Sequence, residues 1–155
     1  MNKKIAVIGA GNVGASVAMY LAEANFADIT LVDIVEGMPQ GKALDLSQAG
    51  PVRGYNAMIT GTNKYSDIKG ADIVIMTAGL ARKPGMSRED LLTKNAEIVA
   101  NAANNIKKYA PKSTVVVVSN PLDLMTYHMQ KITGFPPNRV LGQAGVLDST
   151  RLRTF

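Results

Sequence analysis

A chain of 155 residues with 46% hydrophobic and 19% charged side chains has enough apolar material for one packed domain and is too apolar for a disordered one. Cysteine is absent, which excludes disulfide frameworks, thiolate catalysis and sulfur-ligated metals, and no metal site is expected. The net charge of +5 comes from cations in singles and pairs, without a long basic run or interleaved aromatics, so no nucleic-acid partner is expected.

Along the chain, Lys3 and Lys4 before an apolar stretch imitate a secretion signal, but Gly9, Gly11, Asn12 and Gly14 interrupt the would-be apolar core. No run is long enough to cross a membrane, and a cytoplasmic location without membrane partners is expected. Residues 5–8 form a short apolar run that ends in glycine, as a strand buried on both faces does. A helix is predicted over 13–24, a second buried strand over 29–33, a helix over 38–49 with Pro39 in its first turn, and a weaker strand over 57–60. Residues 73–77 make a strong strand and 115–118 the most β-branched one. Between them the longest helix runs over 87–109, opened by a capping-box-like Ser87 and Asp90 and stopped by Pro111. Its apolar stripe comprises Leu91, Leu92, Ile98, Val99, Ala102, Ala103 and Ile106. A helix over 122–132, a short strand over 139–141 and a last helix starting near Asp148 complete the pattern.

Strands alternating with helices imply parallel pairing through right-handed crossovers, hence an α/β, Rossmann-type doubly wound sheet. Residues 1–143 are expected to form this domain and 144–155 to begin a second one, cut short. Within it, Gly9-Ala10-Gly11-Asn12-Val13-Gly14 fits the G-x-G-x-x-G pattern. Alone the pattern is weak; here it follows a buried strand, opens a helix and is answered by Asp33. Gly9 permits the tight turn, Gly11 the approach of a pyrophosphate, and Gly14 close packing of helix on strand. The helix N-terminus then offers its unpaired N–H groups and positive dipole end to phosphates. At the end of its strand, the Asp33 carboxylate accepts ribose hydroxyls and repels a 2′-phosphate, so the expected cofactor is NAD rather than NADP.

A loop from Thr77 to Arg88 carries Gly79, Pro84, Gly85 and the two arginines Arg82 and Arg88, at a strand end that faces the ligand crevice. This segment, with Val118-Ser119-Asn120-Pro121-Leu122-Asp123 and Gly145-Val146-Leu147-Asp148-Ser149-Thr150-Arg151, resembles the lactate and malate dehydrogenase family. With the glycine fingerprint, four motifs occur in order over the whole chain, and they are closest to the malate branch built like the lactate enzymes. The resemblance implies reversible NAD-dependent oxidation of (S)-malate to oxaloacetate. It implies that Arg88 is the lid arginine that polarises the substrate carbonyl, and that Arg151 grips the C1 carboxylate through a fork that lysine lacks. Asp148 matches the acid that holds a catalytic histidine, and Asn120 the residue near the nicotinamide ribose and the substrate, with an Asn120-Pro121 bond that is cis in relatives. Cofactor contacts are implied for Asn12, Val13, Thr77, Ala78, Gly79, Asn95, Val118 and Asn120.

Arg82 falls at the family's specificity position, where arginine goes with dicarboxylates and glutamine with pyruvate. A second carboxylate buried without a cation would cost several kcal/mol, which agrees. His128 matches no catalytic motif and reads as structural or surface. The family's general base, a histidine, is expected beyond Phe155, so these residues alone are expected to bind NAD weakly and to show no meaningful turnover. Relatives pair as dimers or tetramers through the helix at 38–49, whose Met38, Ala43, Leu44 and Leu46 allow it. A lactate or other 2-hydroxy-acid dehydrogenase, and a non-catalytic NAD-binding module, stay open as rival readings.

Overall fold

The computed structural model describes residues 3–81 and 84–155. Six parallel strands pair in the order β3-β2-β1-β4-β5-β6. They are β1 (Lys3–Ile8), β2 (Ala27–Val32), β3 (Ile59–Thr62), β4 (Ile73–Met76), β5 (Thr114–Val117) and β6 (Val140–Gly142). The helices are α1 (Asn12–Ala24), α2 (Met38–Arg53), α3 (Arg88–Tyr109), α4 (Leu122–Thr133) and α5 (Gly145–Thr154). This is the doubly wound order with the switch point between β1 and β4, the arrangement expected from the alternation of elements.

The side-chain period of two along each strand builds one core on each face. Ala6 and Ile8 join Val74, Met76, Val115 and Val117 under α3 and α4. Val7, Ile29 and Leu31 point the other way, under Ala18 and Ala22 of α1 and Leu46 of α2. Burial on both faces is why these strands read as continuous apolar runs. α1 lies close to the sheet because its inward positions, Gly14, Ala18 and Ala22, are small and four residues apart.

Some boundaries differ from the expectation, each for a local reason. α2 runs four residues past Ala49, because Pro51 falls in the last turn with its ring exposed, and Gly54, at φ 81°, makes the stop. The buried Tyr55 hydroxyl then donates to the Leu46 carbonyl and fastens the exit of the helix. β3 lies two residues later than expected because Gly61 must sit under the start of α2; a Cβ there would come within 2.0 Å of the Pro39 carbonyl oxygen. α5 begins at Gly145 rather than near Asp148. Two short 3₁₀ turns, Tyr65–Ile68 and Pro137–Arg139, lack the length that a periodic signal needs.

The start of α3 is the predicted capping box. The Ser87 hydroxyl accepts from the Asp90 N–H at 3.0 Å, and the Asp90 carboxylate accepts from the Ser87 N–H at 3.1 Å. The Ser87 side chain first, and its backbone N–H next, hold the Asp90 carboxyl below its ordinary value. A carboxyl depressed on folding contributes stability at neutral pH that is lost as pH falls through its lowered value. Ser87→Ala is therefore expected to lower the melting temperature by about 3 °C near neutral pH, and by less in acid. Equal losses at both pH values in a thermal melt would contradict the cap.

Candidate functional site

The end of β1 and the start of α1 form a cradle with little room for side chains. Gly9 turns the chain at φ 104°, and its N–H donates to the Val32 carbonyl at 2.7 Å. A Cβ on Gly14 would stand 1.8 Å from the Gly9 carbonyl oxygen and 2.8 Å from the Thr77 hydroxyl. Gly11 differs: its backbone is ordinary, φ −67° and ψ −171°, and a Cβ there would meet none of the described residues within 4 Å. It borders the open cleft. Among the described residues no side chain caps the first N–H groups of α1, and no acid lies in its first turn, whereas α3 has both. A helix end left open in this way fits a bound pyrophosphate, which supplies the missing acceptors and the negative charge.

The cleft has a volume of about 500 Å³ and is bordered by the glycine turn, Asp33 and residues 77–81. Asp33 is already engaged: one carboxylate oxygen accepts from the Ala10 N–H at 2.6 Å and the other from the Val35 N–H at 3.0 Å. A carboxylate has about four lone-pair sites, so both oxygens retain capacity for ribose hydroxyls. Asn63, which sequence reasoning did not single out, holds this loop from below. Its amide donates to the carbonyls of Asp33 at 2.8 Å and Val35 at 2.9 Å, and accepts from Gln40 at 2.6 Å. Tyr65, also unanticipated, lines the cleft on its 3₁₀ turn; burial first, and then the Asp33 charge, push its phenol up. It therefore stays neutral and a hydrogen-bond donor at physiological pH.

Across the switch point, the Thr77 hydroxyl lies 3.0 and 3.1 Å from the carbonyls of Ile8 and Gly9, locking the β4 end to the glycine turn. The Ser119 hydroxyl donates to the Ala78 carbonyl at 2.6 Å, and Asn120 is exposed in the connection after β5, before a cis bond to Pro121. Val118 is half-buried, with its N–H on the Met76 carbonyl at 2.9 Å. Asn95 does not border the cleft. It is buried on α3, with its amide bonded to the backbone of Leu80 and Asn120.

Arg82 lies outside the described residues. Arg88 is exposed at the first position of α3. Arg151 and Asp148 lie one turn apart on α5 and pair with each other at 3.2 Å, with side chains 66% and 71% exposed. Such a surface pair holds the two groups weakly, so both are available to stronger partners. His128 is half-buried on α4. The connections that follow β1, β4, β5 and β6 all leave the C-terminal edge of one parallel sheet, so the glycine turn, Arg88, Asn120 and the start of α5 follow from that common edge.

No helix among the described residues is long and apolar enough to cross a membrane. The family described as lactate/malate dehydrogenase, NAD binding domain, matches residues 3–142. The malate dehydrogenase of Methanosarcina mazei is 59% identical over 98% of this chain and 50% of its own length, and that of Geobacter sulfurreducens is 58% identical over 99% and 48%. The chain thus spans about half the length of the curated relatives it matches. Among solved structures, the apo malate dehydrogenase of Picrophilus torridus superposes with a TM-score of 0.96 at 51% identity, over 100% of this chain and 50% of that one. The lactate dehydrogenase of Cryptosporidium parvum, complexed with lactic acid and nicotinamide adenine dinucleotide, gives 0.94 at 47% identity, over 99% and 49%. A sheet wound in this order, a glycine cradle open to phosphate and a family match over nearly the whole length agree: the chain belongs to the NAD binding domain of the lactate/malate dehydrogenase family.

Proposed function

We propose that the chain supplies the cofactor half of an enzyme that reversibly oxidises (S)-malate to oxaloacetate. The observation that supports the reading is the uncapped glycine turn beside Asp33 at the C-terminal sheet edge, the edge from which the connection to Arg88 also leaves. NAD, when bound, supplies the hydride acceptor. The chain's own residues hold it: the N–H groups of Gly11 to Gly14 receive the pyrophosphate, Asp33 the adenosine ribose, and residues 77–79 line the cleft beyond them; Val118 and Asn120 are assigned to the nicotinamide end by the resemblance alone.

On the substrate, Arg151 forks onto the C1 carboxylate, Arg82 binds the distal carboxylate and Arg88 polarises the C2 oxygen. Asp148 orients the histidine that takes the hydroxyl proton and stabilises its charged form. Residues 1–143 form the cofactor domain and 144–155 open the substrate domain; α5, none of whose residues is buried, supports this division. The enzyme works in the cytoplasm as a homodimer or homotetramer paired through α2, where Leu44 is 58% exposed.

The product of the complete gene, assayed with NADH, is expected to give a kcat/KM for oxaloacetate at least about 100-fold above that for pyruvate, the discrimination expected where a buried charge must be matched. It is expected to accept NADH and reject NADPH. A preference for pyruvate would replace the reading with a lactate dehydrogenase. Cofactor binding without turnover of either acid would leave a binding module.

A further inference from the structure

We propose that Asn95 is a positioning residue of the dinucleotide cleft, which acts by tying the segment after β4 to the segment after β5 rather than by touching the cofactor. The inference rests on the reading that this cleft takes NAD. Asn95 is 2% exposed and occupies an inward position of α3, between Leu92 and Val99, where an apolar side chain would pack at lower cost. Both amide protons are engaged: Nδ2 donates to the Asn120 carbonyl at 2.8 Å and to the Leu80 carbonyl at 3.3 Å. Oδ1 accepts from the Leu80 N–H at 2.8 Å. The group retains one acceptor site and no donor.

These bonds have a consequence for the walls of the site. Residues 78–80 lie along one wall of the cleft, and Asn120 ends the neighbouring strand's connection. Ser119 ties the first end of residues 78–80 through the Ala78 carbonyl, and Asn95 ties the second end through Leu80. The two connections therefore form one block. Leu80 is thus held at the far end of this wall, so Asn95 sets the width of the cleft.

Asn95→Asp tests this, because it preserves size and still accepts from Leu80 but, when ionised, has no proton for the Asn120 carbonyl. Protonation restores one. The packed segments 78–80 and 118–121 contain no titratable side chain, and Lys94 and Glu97 are exposed on α3, so burial raises the introduced carboxyl's pKa into an accessible range. In calorimetric titration of this chain with NAD, Asn95→Asp is expected to bind about tenfold more weakly than wild type near pH 8, and within about threefold of it near pH 5.5. Asn95→Leu is expected to be weak at both. A variant-to-wild-type ratio that does not change with pH would overturn the proposal. Amide exchange at Leu80 gives a second readout that needs no ligand: protection is expected to fall at least about tenfold in Asn95→Leu, and unchanged protection would overturn the tie. If wild type does not bind NAD, the cofactor reading fails, and the Leu80 exchange alone decides the tie.

Discussion

Gly14→Ala is expected to lower the melting temperature by about 10 °C and to weaken NAD binding by at least about 100-fold, effects that follow from one clash. The added methyl would stand 1.8 Å from the Gly9 carbonyl oxygen and 2.9 Å from its carbon, both backbone atoms at the end of β1. No rotamer change relieves it. Either α1 moves off the sheet, opening the Ala18 and Ala22 packing beneath it, or the Gly9 turn unwinds and releases its 2.7 Å bond to Val32. Both outcomes displace the N–H groups that face the phosphates. Gly11→Ala is the control, because its Cβ meets none of the described residues within 4 Å and its φ of −67° is open to any residue. That variant is expected to melt within about 2 °C of wild type yet bind NAD about tenfold more weakly, since the methyl enters the cleft. Differential scanning calorimetry and NAD titration of both variants separate the two roles. A Gly14→Ala protein with wild-type stability would show that helix and strand are not packed as closely as described.

Much of this fold could be read from the sequence because local chemistry and tertiary placement agree. The glycine spacing, the acid ending β2 and the Ser87 capping box each specify their own geometry within a few residues, and each is found where expected. The features that escaped the sequence depend on contacts between segments far apart in the chain. Asn63 lies 30 residues from Asp33, and nothing near it marks it as the support of that loop. Gly61 looks like a weak strand residue until the Pro39 carbonyl is placed against it. Asn95 did leave a signal, since it interrupts the apolar stripe of α3 at an inward position, and a polar group there requires partners. The resemblance suggested a cofactor contact, whereas burial and hydrogen bonding place its amide on the backbone of Leu80 and Asn120. The cis bond at Asn120-Pro121 agrees with the resemblance; no spacing or periodicity in the chain signals it.

The change with the largest expected effect on selectivity is Arg82→Gln in the product of the complete gene. In the proposed site the distal carboxylate of oxaloacetate is neutralised by Arg82 once water is excluded, and Arg88 and Arg151 are already committed to the carbonyl and the C1 carboxylate. Removing one member of a desolvated ion pair costs about 3–5 kcal/mol, so kcat/KM for oxaloacetate is expected to fall by about 200-fold to several thousandfold. Glutamine also removes a cation that pyruvate leaves unpaired, and kcat/KM for pyruvate is expected to rise by about tenfold or more. The loss should fall mainly on KM if the distal contact is made equally in ground and transition states, whereas Arg88→Gln should fall mainly on kcat, because carbonyl polarisation grows as charge develops on the oxygen. Arg82→Lys separates charge from shape: it preserves the cation, loses the planar fork and should retain part of the oxaloacetate activity. If Arg82→Gln leaves the oxaloacetate-to-pyruvate ratio within about threefold of wild type, the distal carboxylate is bound elsewhere. The dicarboxylate assignment then loses its physical basis, while the dinucleotide site, which stands on Gly9, Gly14 and Asp33, is unaffected.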